Sequence, residues 1–195
     1  MRSTMLTSAL GLLLVASAAT RADARWWSAN GASCAVGDPA IQANRYTIGA
    51  GSVKHRAGAS GLITLYCAVN PGIGGLEYFN YGIPPEHDYA TFAGCSNGYT
   101  MRQTYTDSDG MAAAVSVKSQ LIRMVKGNGD LYPVAGATLD SSANPAGTTT
   151  STSQTADFDY TFDFQNSYYY VRVDIERQVG SSASAIFYGV AVECR

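Results

Sequence analysis

Apolar side chains recur at every second position along much of the chain, and this period constrains the fold more than any other feature. A strand sends successive side chains to opposite faces. Tyr169, Val171, Val173 and Ile175 therefore share one face of an extended segment, while Tyr168, Tyr170, Arg172, Asp174 and Glu176 share the other. One face suits a core and the other suits water, as in an antiparallel sheet. Ile63, Leu65, Cys67 and Val69 form a second inward set, and Tyr99, Met101, Gln103 and Tyr105 a third. Val115, Val117 and Leu121 face inward opposite Lys118 and Gln120, and the shift to Ile122 and Met124 predicts a bulge. Phe158, Tyr160, Phe162 and Phe164 alternate with Asp157, Asp159, Thr161 and Asp163, which predicts a strand joined to the next as a hairpin through Asn166. Near the end, Ile186, Tyr188, Val190 and Val192 alternate with small residues and Phe187.

Turn chemistry separates these segments. Asp107-Ser108-Asp109-Gly110 and Gly127-Asn128-Gly129-Asp130 supply residues that tolerate positive φ, and Gly180 to Ala183 joins the last two strands. No stretch sustains a helical period. Many short strands at this spacing predict an all-β fold, a single antiparallel β-sandwich of jelly-roll-like form with about nine strands. A closed β-barrel is the alternative. Residues 71–85, with Pro71-Gly72, Gly74-Gly75 and Pro84-Pro85, read as a loop, and the Ser- and Thr-rich stretch 140–155 reads as a mobile surface loop.

The beginning of the chain points to export. Arg2 precedes an apolar run centred on Leu12-Leu13-Leu14-Val15, and Ala22-Asp23-Ala24 matches the small-x-small pattern of a cleavage site. We read residues 1–24 as a signal peptide and 25–195 as one β-sandwich domain. The run is shorter than the roughly 20 residues of a membrane-spanning helix, and no later stretch reaches that length. The expected location is secreted or periplasmic. Cys34, Cys67, Cys95 and Cys194 agree with it, because an even count in an exported chain predicts two disulfides. Three pairings are open. Cys34 with Cys67 is favoured, since it would fasten the N-terminal segment to an early strand. The lack of C-x-x-C argues against a tetrathiolate zinc site or a dithiol redox centre.

The search for reaction chemistry returns little. There is no G-x-S-x-G nucleophile elbow; Gly58-Ala59-Ser60-Gly61 is one residue short. His55 lies in a Gly-rich basic loop, and Glu86-His87-Asp88 reads as an exposed polar segment whose acids point away from the histidine. Asp157, Asp159 and Asp163 sit on one predicted face with neighbours roughly 7 Å apart, a spacing open to a glycosidase pair or a calcium ion but shared by any polar strand face. Asp107 and Asp109 begin like a calcium loop, yet Met111-Ala112-Ala113-Ala114 follows where further oxygen ligands are needed. We therefore assign no catalytic residue, no metal ligand and no cofactor. With 13 Lys+Arg against 15 Asp+Glu, the charge balance offers no electrostatic case for nucleic acid or an anionic membrane.

The excess of tyrosine, 13 in all, carries the functional content. Tyr168 and Tyr170 share the polar strand face with Arg172 and Asp174. Their rings, about 6.5 to 7 Å apart along the strand, suit stacking on a glycan while Arg172 and Asp174 supply hydrogen bonds. Trp26-Trp27 reads as cover for a sheet edge. Leu65-Tyr66-Cys67-Ala68-Val69, Tyr105-Thr106-Asp107-Ser108-Asp109-Gly110 and the ending from Tyr168-Tyr169-Tyr170-Val171-Arg172-Val173 to Phe187-Tyr188-Gly189-Val190 resemble uncharacterised exported bacterial β-sandwich proteins. That resemblance covers most of residues 34–194 and implies fold and export, with no activity to transfer. The expectation is an exported, non-enzymatic binding or surface-interaction module with an extracellular glycan or protein partner. A polysaccharide-active hydrolase or lyase is one alternative, and a structural subunit of an extracellular assembly is another.

Overall fold

A computed structural model describes residues 26–69, 95, 97–144 and 148–195. The proposed signal peptide, the stretch 71–85 and Glu86-His87-Asp88 lie outside the described residues. Among the described residues eleven strands, against the nine or so expected, form two antiparallel sheets. The first sheet contains β1 (Trp26–Asn30), β3 (Tyr46–Gly49), β4 (Ser52–His55), β6 (Tyr99–Asp107), β9 (Thr148–Phe158) and β11 (Ala185–Cys194). Its order is β3-β4-β11-β6-β9, with β1 also paired to β11. The second sheet is β2 (Ala35–Val36), β5 (Gly61–Val69), β10 (Ser167–Arg177), β7 (Val115–Val125) and β8 (Leu131–Asp140), in that order. From β4 onward successive described strands alternate between the sheets, except in the β7–β8 hairpin. The sets β4-β11-β6-β9 and β5-β10-β7-β8 then have the strand order of a jelly roll.

The inward sets read from the sequence form the core. Tyr169, Val171, Val173 and Ile175 are buried, as are Ile63, Leu65, Cys67, Val117 and Leu121. Gln103 is the one fully buried amide among them, and it is satisfied across the two sheets. Its Nε2 donates to Val117 O at 3.3 Å and to Gln154 Oε1 at 3.0 Å, and its Oε1 accepts from Ser119 Oγ at 2.7 Å. A buried polar group costs little when its hydrogen bonds are made and a great deal when they are not.

Several expectations are corrected. The stretch 140–155 is not a loop throughout, because Thr148 to Thr155 belong to β9, an edge strand held by backbone pairing to β6. The aromatic segment after it is not a strand. β9 ends at Phe158, and 159–163 crosses to the other sheet, so no hairpin forms with β10, whose partners are β5 and β7. Alternation survives there because Phe162 and Phe164 close the end of the sandwich, with ring centroids 4.8 and 5.0 Å from that of Tyr169. The irregularity expected in β7 lies in β8 instead: Gln120 pairs Thr138 while Ile122 pairs Pro133. β7 keeps its alternation, so Ile122 and Met124 face outward. In β11 the inward residues are Ala185, Phe187, Val190 and Val192, because the register slips between Phe187 and Gly189. A Cβ at Gly189 would stand 2.7 Å from Ala29 O, so glycine lets β1 approach there. Trp27 is buried in the core instead of covering an edge, and His55 is the buried end of β4, with Nε2 2.9 Å from Gly61 O.

The disulfides join Cys34 to Cys67 and Cys95 to Cys194, with Cα–Cα distances of 4.5 and 5.3 Å. Cys34 immediately precedes β2 and Cys67 lies in β5, so the favoured pairing is the one present. The second bridge holds the end of β11 beside the entrance to β6. Gly98 (φ +81°) sits at that corner, and a Cβ there would clash with Asp159 Oδ1. Arg195 bonds Asn97 O at 2.6 Å and pairs with Asp157 and Asp159 at the same corner.

Candidate functional site

The outward face of the second sheet follows from β10 and its neighbours. Alternation puts Tyr168, Tyr170, Arg172, Asp174 and Glu176 on one side of β10, the side away from the core. Register then sets their neighbours. Met124 stands opposite Tyr168, Ile122 opposite Tyr170, and Gln120 opposite Arg172. On the β5 side, Ala68 faces Tyr170 and Tyr66 faces Arg172. The result is a surface that is aromatic and apolar at one end and polar at the other.

At the aromatic end Tyr168 is 55% exposed and Tyr66 39% exposed. Tyr170 is half-buried, and its ring meets that of Tyr66 edge to face at 5.4 Å and 82°. Burial and the neighbouring Tyr66 phenol hold the Tyr170 hydroxyl above its ordinary pKa. Ile122 faces outward yet is only 5% exposed, so its neighbours in register, Tyr170 and Pro133, cover it. Beside these rings runs a groove of about 540 Å³, lined among others by Ala35, Tyr66, Met124, Lys126, Tyr168 and Tyr170. Lys126 Nζ lies 4.6 Å from the centroid of the Tyr168 ring and donates to Phe164 O at 2.8 Å and Gln165 O at 3.2 Å.

At the polar end Arg172 Nε lies 2.9 Å from Asp174 Oδ2, and Asp174 Oδ1 also accepts from Thr64 Oγ1 at 2.8 Å. Next in the row, Lys118 pairs with Asp140 at 2.8 Å. Exposed pairs of this kind are worth no more than about 1 kcal/mol to stability. What they provide is a set of oriented donors and acceptors level with the rings.

The structure thus puts Tyr168, Tyr170, Arg172 and Asp174 on one open face. Sequence reading passed over Tyr66, Met124 and Lys126. Tyr66 was available in principle, since it lies between the inward Leu65 and Cys67. Lys126 was not. Its place depends on its N–H donating to Asn166 O at 2.8 Å, which brings the end of β7 against the turn before β10.

Of the acidic candidates, Asp157 and Asp159 share Arg195 while Asp163 parts from them. Asp157 accepts from Thr100 Oγ1 at 2.6 Å, and this bond together with Arg195 holds its carboxyl below the usual carboxylate pKa. Asp163 turns instead to the side chain and backbone N–H of Asn166, which lower its pKa likewise. Among the described residues no group of three or more His, Cys, Asp or Glu is placed to hold a metal ion. Asp107 is buried at the end of β6, where Ser141 Oγ donates to it, while Asp109 accepts the backbone N–H groups of Ala114 and Val115. Burial, and next the adjoining Asp109 carboxylate, raise the Asp107 pKa to about 6.

That shift has a signed consequence. A carboxyl whose pKa rises on folding favours the native state when protonated. Its contribution is complete below the unfolded value of 3.8 and is lost as pH rises through about 6. His55 acts oppositely, because burial lowers its pKa and acid then costs stability. The comparison with Asp107→Asn removes the His55 effect, which both proteins share. We expect wild type to gain stability relative to Asp107→Asn as pH falls from 7.5 to 4.5 in denaturant titrations. A constant difference would show that the carboxyl does not titrate in this window.

No protein-family model matches the sequence, and no curated protein matches it. Among solved structures, the chain is similar to a xylan-binding module, CBM15, at 15% identity and a TM-score of 0.44, covering 88% of this chain and 97% of that one. It is similar also to a low-affinity xylan-binding module, CBM86, from Roseburia intestinalis, at 12% identity and a TM-score of 0.41, covering 87% and 96%. A third is the C-terminal family 22 carbohydrate-binding module of Clostridium thermocellum Xyn10B, at 13% identity and a TM-score of 0.36, covering 87% and 86%.

Proposed function

We propose that the protein is an exported carbohydrate-binding module that holds an extended glycan along the outward face of the second sheet. The observation that carries this reading is the cluster of Tyr66, Tyr168 and Tyr170 beside the groove, in line with oriented polar groups on the same strand. A pyranose ring presents C–H bonds on its faces and hydroxyls around its rim. Tyrosine rings cover the faces, and their hydroxyls, with Arg172 and Asp174, bond the rim. The β-sandwich supplies rigidity, since the inward face of β10 is locked in the core and its outward side chains are held in place. Two disulfides suit an oxidising, extracytoplasmic setting.

The test is retention. The protein is run through native gels containing soluble glucan, xylan, mannan, galactan or pectic polysaccharide, and each mixture is assayed for released sugar. The reading expects slowed migration with at least one polysaccharide and no product. Unchanged migration in every gel would overturn it, and released oligosaccharide would overturn its non-enzymatic part.

A further inference from the structure

Among the described residues that line the groove, one charge is unbalanced. Among the described residues, ion pairs join Arg102 to Glu193, Lys118 to Asp140, Arg172 to Asp174, and Arg195 to Asp157 and Asp159. Lys126 belongs to none of them. It is also the only charged side chain among the described residues that line the groove, where its neighbours are tyrosines, Phe164, Met124, Val69, alanines and Ser167. Its ammonium is not loose. Two backbone carbonyls and the Tyr168 ring fix its position. These partners are neutral acceptors, so the full positive charge stands at an apolar wall where water screens it less than in the open. The polar end of the face differs, since Arg172 there is already neutralised by Asp174.

We propose that the groove selects an acidic glycan, one bearing a uronate carboxylate that reaches Lys126 while the adjoining sugar ring lies on Tyr168. This rests on the reading of the face as a glycan site and adds the chemical class of the ligand. An ammonium has three donors, and two are used on carbonyls, so one remains for an anionic oxygen. A charge-assisted hydrogen bond is roughly twice as strong as a neutral one. A neutral hydroxyl would accept a charge-assisted bond from the same ammonium too, but without the Coulomb attraction between opposite charges that a carboxylate adds. The carboxylate and the stacked ring belong to one residue of the glycan or to adjacent residues, because Lys126 and Tyr168 are themselves in contact.

The experiment compares matched ligands. Hexasaccharides of glucan, mannan and galactan are each prepared in the neutral form, as the C6-oxidised uronate, and as the uronate methyl ester, which keeps the shape without the charge. Affinities are measured by calorimetry on the intact protein at low and high salt. We expect one backbone to bind best as the uronate, roughly five- to tenfold more tightly than its ester. That advantage should shrink in high salt. Lys126→Met should abolish it and Lys126→Arg should retain it. The wild-type ester comparison stands even if a variant fails to fold. Equal affinity for uronate and ester would overturn this inference and leave the glycan reading intact. Binding of none of the compounds would overturn this inference as well, and retention in the polysaccharide gels, xylan included, then decides the glycan reading separately.

Discussion

Replacing Tyr168 and Tyr170 together by alanine is expected to weaken glycan binding by roughly a hundredfold, read by calorimetry against the polysaccharide that retains the wild type. The magnitude follows from the place of the two rings. Aromatic anchors at the centre of an interface commonly cost about 2 kcal/mol or more when truncated, and two of them act along one strand here. Stability should change much less. Tyr168 is largely exposed, and truncation of such a side chain stays within about 0.5 kcal/mol. Tyr170 gives up its edge-to-face contact with Tyr66 and part of its cover of Ile122, together worth about 1 to 2 kcal/mol. The melting temperature should therefore fall by only a few degrees. Tyr132 is a suitable control, because it is 50% exposed but does not line the groove, and Tyr132→Ala should bind as wild type does. Binding by the double variant within about twofold of wild type would remove the rings from the site.

Loss of the Cys95–Cys194 bridge is the change expected to destabilise the fold most. It closes a separation of 99 residues, against 33 for Cys34–Cys67. The chain-entropy argument assigns about 5 kcal/mol to the longer loop and about 4 kcal/mol to the shorter. The longer bridge also holds the corner where Arg195 meets Asn97 O, Asp157 and Asp159, so its removal frees the end of β11. Changing both Cys95 and Cys194 to alanine should lower the midpoint of thermal unfolding by roughly 10 °C or more. The corresponding pair at Cys34 and Cys67 should cost somewhat less. A loss below about 1 kcal/mol for the longer bridge would mean that the unfolded chain already keeps these two ends close, against the chain-entropy argument.

The central strands were legible because each is flanked on both sides and buries one face. β10 lies between β5 and β7, and its strict alternation is the direct imprint of that position. The edge strands carried no such imprint. β9 is rich in Ser and Thr and is held by main-chain bonds to β6, so its side chains say little about its conformation. β8 carries Pro133 and Gly136 and skips register against β7, which breaks the period that sequence reading follows. The aromatic run from Phe158 to Phe164 misled for a different reason. A chain segment that wraps the end of a sandwich can bury alternate rings without being a strand. At the site, alternation yielded Tyr168, Tyr170, Arg172 and Asp174, since all four sit on a single strand. Met124 and Lys126 come from β7 and the residue after it, and only cross-strand register brings them to Tyr168.

The most direct measurement is a nuclear magnetic resonance titration of the isotopically labelled protein with the polysaccharide fragment it binds best. The glycan reading expects the largest shift changes on Tyr66, Tyr168, Tyr170 and the Met124 methyl, with smaller ones on Arg172 and Asp174, and little change on the outward face of the first sheet. Shifts concentrated instead around Arg102, Tyr188 and Glu193, with the tyrosine face unmoved, would contradict it.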